Sequence, residues 1–359
     1  MSVEAVTQRI RDAAQRGETL RIRGGGTKDF YGEPARGEEL STLGLSGITA
    51  YEPSELVVTV RAGTRLAELE AVLAERGQCL AFEPLHFAEG TTVGGMVAAG
   101  LAGPARASAG PVRDYVLGVT IVNGRGELLS FGGTVMKNVA GYDVSRLMVG
   151  ALGTLGLIAE VSLKVLPVAP AEATLRFDMT QAEALRRLNE WGGQPLPLNA
   201  SWWAAEQGRG TLSLRLRGAV AAVDAACRTL GGERLRSEEA APQWLACRDQ
   251  RLPGFAPREG GDLWRISVPQ TAPVLELGDT LVEWHGAQRW VQARPGEGAR
   301  IRDAAQRAGG HATLFRPRDA GATQRFTPLA PPLDRIHREL KREFDPAGVF
   351  NRGRLYPDF

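Results

Sequence analysis

The sequence is poor in the residues that staple or metallate a small fold. Three cysteines in 359 residues, Cys79, Cys227 and Cys247, form no CxxC pair and share no metal-ligand spacing with a histidine. A disulfide scaffold or a structural zinc site is excluded, and a reducing compartment fits. Excess charge of one sign is lacking too: 43 basic and 41 acidic residues leave a formal net charge of +2. Such balance argues against a nucleic-acid or anionic-membrane binder. No apolar run approaches the ~20 residues that cross a bilayer, and the N-terminus is amphipathic, so neither signal peptide nor membrane span is expected. A soluble, cytoplasmic chain is the expectation.

What is abundant is glycine, 44 of 359 residues. Residues 1–160 hold 25 glycines and 161–359 hold 19, whereas all seven tryptophans lie between Trp191 and Trp290. Two regions of different character follow, in a chain longer than one core usually fills.

Local patterns read as α+β. Val3, Val6, Ile10 and Ala13 recur at helical spacing between Ser2, a good N-cap, and Gly17, a good C-terminal residue. Leu20 and Ile22 alternate as in a strand that runs into Arg23-Gly24-Gly25-Gly26-Thr27-Lys28. A second strand over Leu56–Val60 leads to a helix with Leu66, Leu69, Val72 and Leu73 on one side, closed by Gly77. Pro84 to Gly110 reads as a long, low-charge loop lying against protein or ligand. Val119–Val122 and Leu128–Phe131 read as a hairpin turned at Asn123-Gly124. Asp143 caps a short helix through Leu147, and Gly150, Gly153 and Gly156 precede a strand over Leu157–Leu166. In the tail, Leu333, Ile336, Leu340 and Phe344 share one helical face, ended by Asp345-Pro346.

Three glycines after a strand free the backbone to turn N–H groups inward as an anion cradle, and Lys28 adds charge; the alternative is an ordinary flexible turn. Only four of the 43 basic residues are lysine, at 28, 137, 164 and 341, so this one is less casual than an arginine. No GxxxxGK[ST] exists, which removes the P-loop NTPases. Gly124-Arg125-Gly126 has Leu129 where a Rossmann turn has its third glycine, and it joins two strands. Paired Gly94 and Gly95 permit close approach of a flat ligand, or simply tight packing. Two glycine loops, a third glycine cluster and an apolar strand together suggest a long cofactor with a diphosphate in its middle and an aromatic ring at one end.

These segments resemble the FAD-binding fold of the vanillyl-alcohol oxidase, or PCMH, type. The resemblance rests on Arg23–Lys28, Thr92–Gly95, Gly110–Gly118, Gly141–Gly150, Gly153–Ile158 and Asp345–Asn351. Val135–Asp143, Gly94–Ala98, Leu101–Pro104, Leu263–Ser267 and Gly309–Thr313 narrow it to the FAD-binding E subunits of bacterial glycolate oxidases. The implied architecture is a PCMH-type FAD domain over 1–170, in subdomains of about 1–50 and 51–170, a smaller α+β cap over 171–312, and a C-terminal segment, 313–359, returning to the FAD domain. The resemblance implies that Arg23, Gly24, Gly25, Gly26, Thr27 and Lys28 hold the FAD pyrophosphate. Pro84, Leu85, Thr91, Thr92, Gly94, Gly95 and Ala98 would line the second loop, and Gly110, Gly156 and Ile158 would follow the adenosine and ribityl portions. Covalent members carry a histidine where Thr27 stands, so non-covalent FAD is expected.

The implied role is flavin-mediated electron transfer within a complex that oxidises glycolate to glyoxylate, beside a D-type flavoprotein subunit and an iron–sulfur subunit. Any contact with the inner membrane would come through those partners. The D-type relatives carry a closely spaced histidine pair near bound metal; His86, His285, His311 and His337 include no such pair, and no metal is expected. Oxidising a hydroxy acid needs a base for the hydroxyl proton and cations for the carboxylate. His311 is the candidate base, and His86 a candidate flavin contact. Two rivals remain: a self-sufficient dehydrogenase of glycolate or D-lactate using His311 and cap arginines, and a scaffold subunit whose flavin site has decayed.

Overall fold

The computed structural model describes residues 2–135, 142–206, 209–256, 260–319, 324–357 and 359. The motif Val135–Asp143 therefore falls largely outside the described residues, as does Gly141. The chain opens with the helix Val3–Arg16, capped by the Ser2 hydroxyl and ended by left-handed Gly17, as its pattern requires. Leu20–Arg23 then pairs in parallel with Glu38–Ser41. A five-stranded antiparallel sheet follows, in the order Ile48–Glu52, Val57–Arg61, Leu157–Lys164, Val116–Val122, Leu128–Gly132. The expected subdomain limit near 50 lies inside its first strand.

An eight-stranded antiparallel sheet takes its strands from residues between Ala171 and Arg316. Its last strand, His311–Arg316, pairs with Asp262–Ser267, so the expected limit at 312 cuts a strand. Period-two alternation gives this sheet two unlike faces. On one, Leu212, Leu214 and Leu216 pack under Gln181–Gly192 and Val220–Leu230, and Trp264, Ile266, Ala312 and Leu314 pack under Gly298–Arg307. The opposite face carries Arg265 beside Thr313 and Trp290, and Ser267 beside His311 and Gln288. That polar face is turned toward the N-terminal half, with an apolar seam of Tyr31, Leu85, Leu101, Trp290 and Phe315 between them.

Three expectations change. The segment Pro84–Gly110 is not loop throughout: Val93–Ala99 is a helix with Thr92 as its N-cap, and Arg106–Ala109 is a further turn of helix. A Cβ on Gly94 would sit 2.5 Å from the Ala62 Cβ, so its glycine serves helix-to-strand packing. The hairpin loop is five residues, 123–127, with the positive φ at Gly126; Gly124 instead lies flat against Asp345. Finally, the tail helix Leu333–Phe344 packs only Leu340 and Phe344 on the core, leaving Leu333 51% and Ile336 41% exposed.

Buried charge ties the halves together. Glu83 accepts from Arg215 at 2.6 Å and from the Ala105 N–H at 3.1 Å, while Trp284 donates to the Gly103 carbonyl. His285 bridges Ser201, 2.9 Å from Nδ1, and Ser108, 3.1 Å from Nε2. In the tail, Lys341 donates to the Thr154 and Phe350 carbonyls and to Asp345 at 2.7 Å.

Removing one partner of a buried pair strands the other charge, so Lys341→Met should lose ~3–5 kcal/mol in urea unfolding. An unchanged midpoint would refute that role. Burial holds His285 neutral, with its pKa down at about 4 from 6.5. Its contribution is therefore complete above pH 6.5 and lost as pH falls toward 4, up to ~3 kcal/mol. His285→Asn, which tolerates the left-handed backbone there, should unfold with a visibly flatter pH dependence across that window.

Candidate functional site

The strand Leu20–Arg23 delivers the glycine triplet against the second loop with no room for side chains. A Cβ on Gly24 would lie 2.4 Å from Thr92 Oγ1, and one on Gly25 would lie 1.5 Å from the Gly90 carbonyl oxygen. Gly26 has φ of +71° and turns the chain toward Lys28. The two loops are also stitched by hydroxyls, Thr27 Oγ1 to Thr91 Oγ1 at 3.0 Å. The result is a pocket of 140 Å³. Of the residues expected there, Arg23, Gly24, Gly25, Gly26, Thr27, Lys28, Thr92, Gly95 and Ala98 line it.

The other expected residues lie elsewhere. Thr91 is buried just behind the lining, and Gly94 faces Ala62. Leu85 belongs to the seam between the halves. Gly110 ends the helical turn Arg106–Ala109 near Asp114. Gly156 and Ile158 sit beside the strand Val116–Val122, with Ile158 in the central core. Pro84 does not line the glycine pocket.

Asn351 and Arg354 were not anticipated as lining residues, and the tail brings them there. Asn351 accepts from the Ile22 N–H at 2.8 Å and donates to the Leu152 carbonyl at 2.6 Å. Arg354 donates to the carbonyls of Lys28, Asp29 and Glu33, which braces the outer side of the glycine loop. The tail motif Asp345–Asn351 was a visible signal for the first; nothing marked the second among so many arginines.

Charge separates Lys28 from its neighbours. Arg23 is neutralised by Asp29 at 2.8 Å and Glu39 at 3.3 Å. Lys28 has no carboxylate partner among the described residues; its Nζ touches only Thr27 Oγ1, at 3.4 Å, and stands 5.7 Å from the Phe87 ring centre. Burial pushes its pKa down to about 8. A cradle of backbone N–H groups with one uncompensated ammonium is built for an anion such as a diphosphate.

The histidines divide. His86 Nε2 lies 2.7 Å from Glu70, the His86 backbone N–H donates to Asp249, and the residue does not line the glycine pocket. His311 lines a different cavity, between the polar sheet face and the tail, and burial and nearby Arg265 both lower its pKa. Among the described residues, no group of three His, Cys, Asp or Glu could hold a metal ion.

Residues 1–145 match the FAD binding domain family. Across 99% of this chain and 97% of the relative, the sequence is 45% identical to the glycolate oxidase subunit GlcE of Escherichia coli (strain K12). A shorter stretch, 39% of this chain and 29% of the relative, is 34% identical to a D-lactate dehydrogenase of Anaerostipes hadrus. Glycolate oxidase subunit GlcD of Bacillus subtilis (strain 168) is 30% identical over 36% of this chain and 28% of its own length. The fold matches a solved alkyldihydroxyacetonephosphate synthase with a TM-score of 0.66 over 96% of this chain and 74% of that one, at 16% identity. Full-length identity at this level, on a PCMH-type fold with an FAD-binding domain, means that the chain belongs to the GlcE family of glycolate oxidase subunits.

Proposed function

We infer that this chain is the FAD-binding subunit of a complex that oxidises glycolate to glyoxylate, and that its flavin passes electrons between partner subunits. The observation that carries the cofactor is the glycine cradle with uncompensated Lys28. The residues present fit the group: backbone N–H donors of 24–26 for the diphosphate, Lys28 for its charge, and a lining too tight for a Cβ at Gly25. Binding is non-covalent, because the Thr27 hydroxyl replaces the nucleophilic imidazole of covalent members and is already engaged with Thr91.

When bound, the flavin supplies both two-electron and one-electron redox chemistry. In this reading residues 1–170 and the tail hold it and the sheet of 171–316 covers it, the cap being taken to end with the strand His311–Arg316. Three cysteines do not furnish iron–sulfur clusters, so such a cluster belongs to one partner subunit and the oxidation of glycolate to another, a D-type flavoprotein. Among the described residues no helix is long and apolar enough to cross a membrane, and we assign any contact with the inner membrane to those cytoplasmic partners.

Two measurements test this. Gly25→Asp should abolish FAD retention by the purified chain and glycolate oxidation by the reconstituted complex; activity surviving flavin loss would favour a scaffold role. With the unsubstituted chain, isolated and FAD-loaded, anaerobic glycolate should leave the flavin band unbleached, whereas bleaching would establish a self-sufficient dehydrogenase. The free protein's Lys28 loses its proton above about pH 8. Bound diphosphate raises that pKa, so FAD affinity should be flat below it and weaken above it, by up to ~10-fold per pH unit. Lys28→Met should bind more weakly and show no such break in a fluorescence titration.

A further inference from the structure

A groove of 650 Å³ lies between the cap helix Ser237–Arg248 and the linker that leaves the N-terminal half. It shares no lining residue with the glycine pocket or with the cavity that His311 lines. The helix carries two neighbouring apolar rows. Ala240, Trp244 and Cys247 are buried in the cap, as a helix stripe normally is. The next row, Ala241 and Leu245, turns into the groove instead, and Leu245 is 46% exposed. Leu166, Pro167, Val168 and Ala169 form the facing wall, where Val168 is 56% exposed. Val168 is held there, since its N–H donates to the Gly77 carbonyl at 2.8 Å. Other cap helices turn charge outward: Arg186 pairs with Glu190 on Gln181–Gly192, and Arg307 with Asp303 on Gly298–Arg307.

The charged side chains of the groove are matched within the chain. Arg215 meets Glu83 at 2.6 Å, Arg217 meets Glu172, Arg248 meets Asp249 at 2.7 Å and Glu70 meets His86 at 2.7 Å. A charged ligand would find each opposite charge taken and would lose its own hydration without return, so the occupant that fits is uncharged. Large aliphatic side chains facing each other in water, with paired charge around them, have the make-up of an interface core rather than of ordinary surface. Ala241 and Leu245 stand one turn apart and form a ridge of the kind against which another helix packs.

We propose that this groove seats an uncharged, apolar helix face of another subunit of the oxidase complex. The seated helix touches Leu245 from the cap and Val168 from the linker together, so assembly braces the two halves against each other. The inference rests on the reading of this chain as one subunit of such a complex and adds where on the chain a partner sits.

Reconstitution of the FAD-loaded chain with the D-type and iron–sulfur subunits tests it, with affinity read by titration and FAD counted per chain. Leu245→Glu and Val168→Glu place an unmatched charge in the groove, so each should weaken assembly by about tenfold or more. Both positions are exposed in the free chain, so FAD content and the unfolding midpoint should stay as they were. Val220→Glu, equally exposed but outside the groove, should assemble normally. A photoreactive phenylalanine analogue in place of Leu245 should crosslink to a partner subunit. Assembly indifferent to both groove variants, a crosslink to a second copy of this chain, or no crosslink within an assembled complex would overturn the inference alone. No assembly by the unsubstituted chain would overturn the subunit reading and this inference with it.

Discussion

The glycine pocket depends on an ammonium group at the far end of the chain. Lys341 is one of four lysines among 43 basic residues, and its three donors reach the Thr154 carbonyl, the Phe350 carbonyl and Asp345 Oδ2. A compact tetrahedral head meets three converging oxygens where a planar guanidinium would not. Asp345 in turn accepts from the N–H groups of Val349 and Phe350, which bends the tail back beside Leu20. From there Asn351 takes the Ile22 N–H, and Arg354 gathers three carbonyls of the following loop. The geometry of the anion cradle is thus set by tail residues, and the tail is set by a buried ion pair.

Charge compensation sorts the many basic side chains of this protein. Burying a cation is costly unless an acid or a ligand meets it. Arg215 is nearly buried and meets Glu83, and it stacks on Trp244, so it is a structural strut between the halves. Lys28 and Arg265 are set in pockets and meet no acid among the described residues. They stand at two separate cavities, one lined by glycine backbone and the other by hydrocarbon.

Patterns carried by neighbours in sequence were legible, and those made by distant neighbours were not. The first helix shows its period and both caps within Ser2–Gly17. The helix Val93–Ala99 was hidden because two glycines weaken its propensity; contact with Ala62, far away in sequence, overrides that weakness. The Asn123-Gly124 turn was misplaced for the same reason, since Asp345 takes the space above Gly124 and shifts the positive φ to Gly126. At the site, the triplet of glycines and Lys28 were readable as an anion cradle. Arg354 and Arg265 were not, because the first is marked by loop carbonyls that only the folded tail brings to it and the second by the absence of an ion pair among the described residues.

The four histidines show why residue type alone could not assign chemistry. His285 is clamped between two serines and held neutral by burial, so it is a wedge between the halves. His86 has its carboxylate, Glu70, and His337 packs against the Tyr356 and Phe359 rings. His311 and His337 both line the cavity that Arg265 faces, but only for His311 does that cation add to burial in lowering the pKa. A neutral imidazole beside a guanidinium can accept a hydrogen bond from a bound acid or hydroxyl but does not compete for the negative charge.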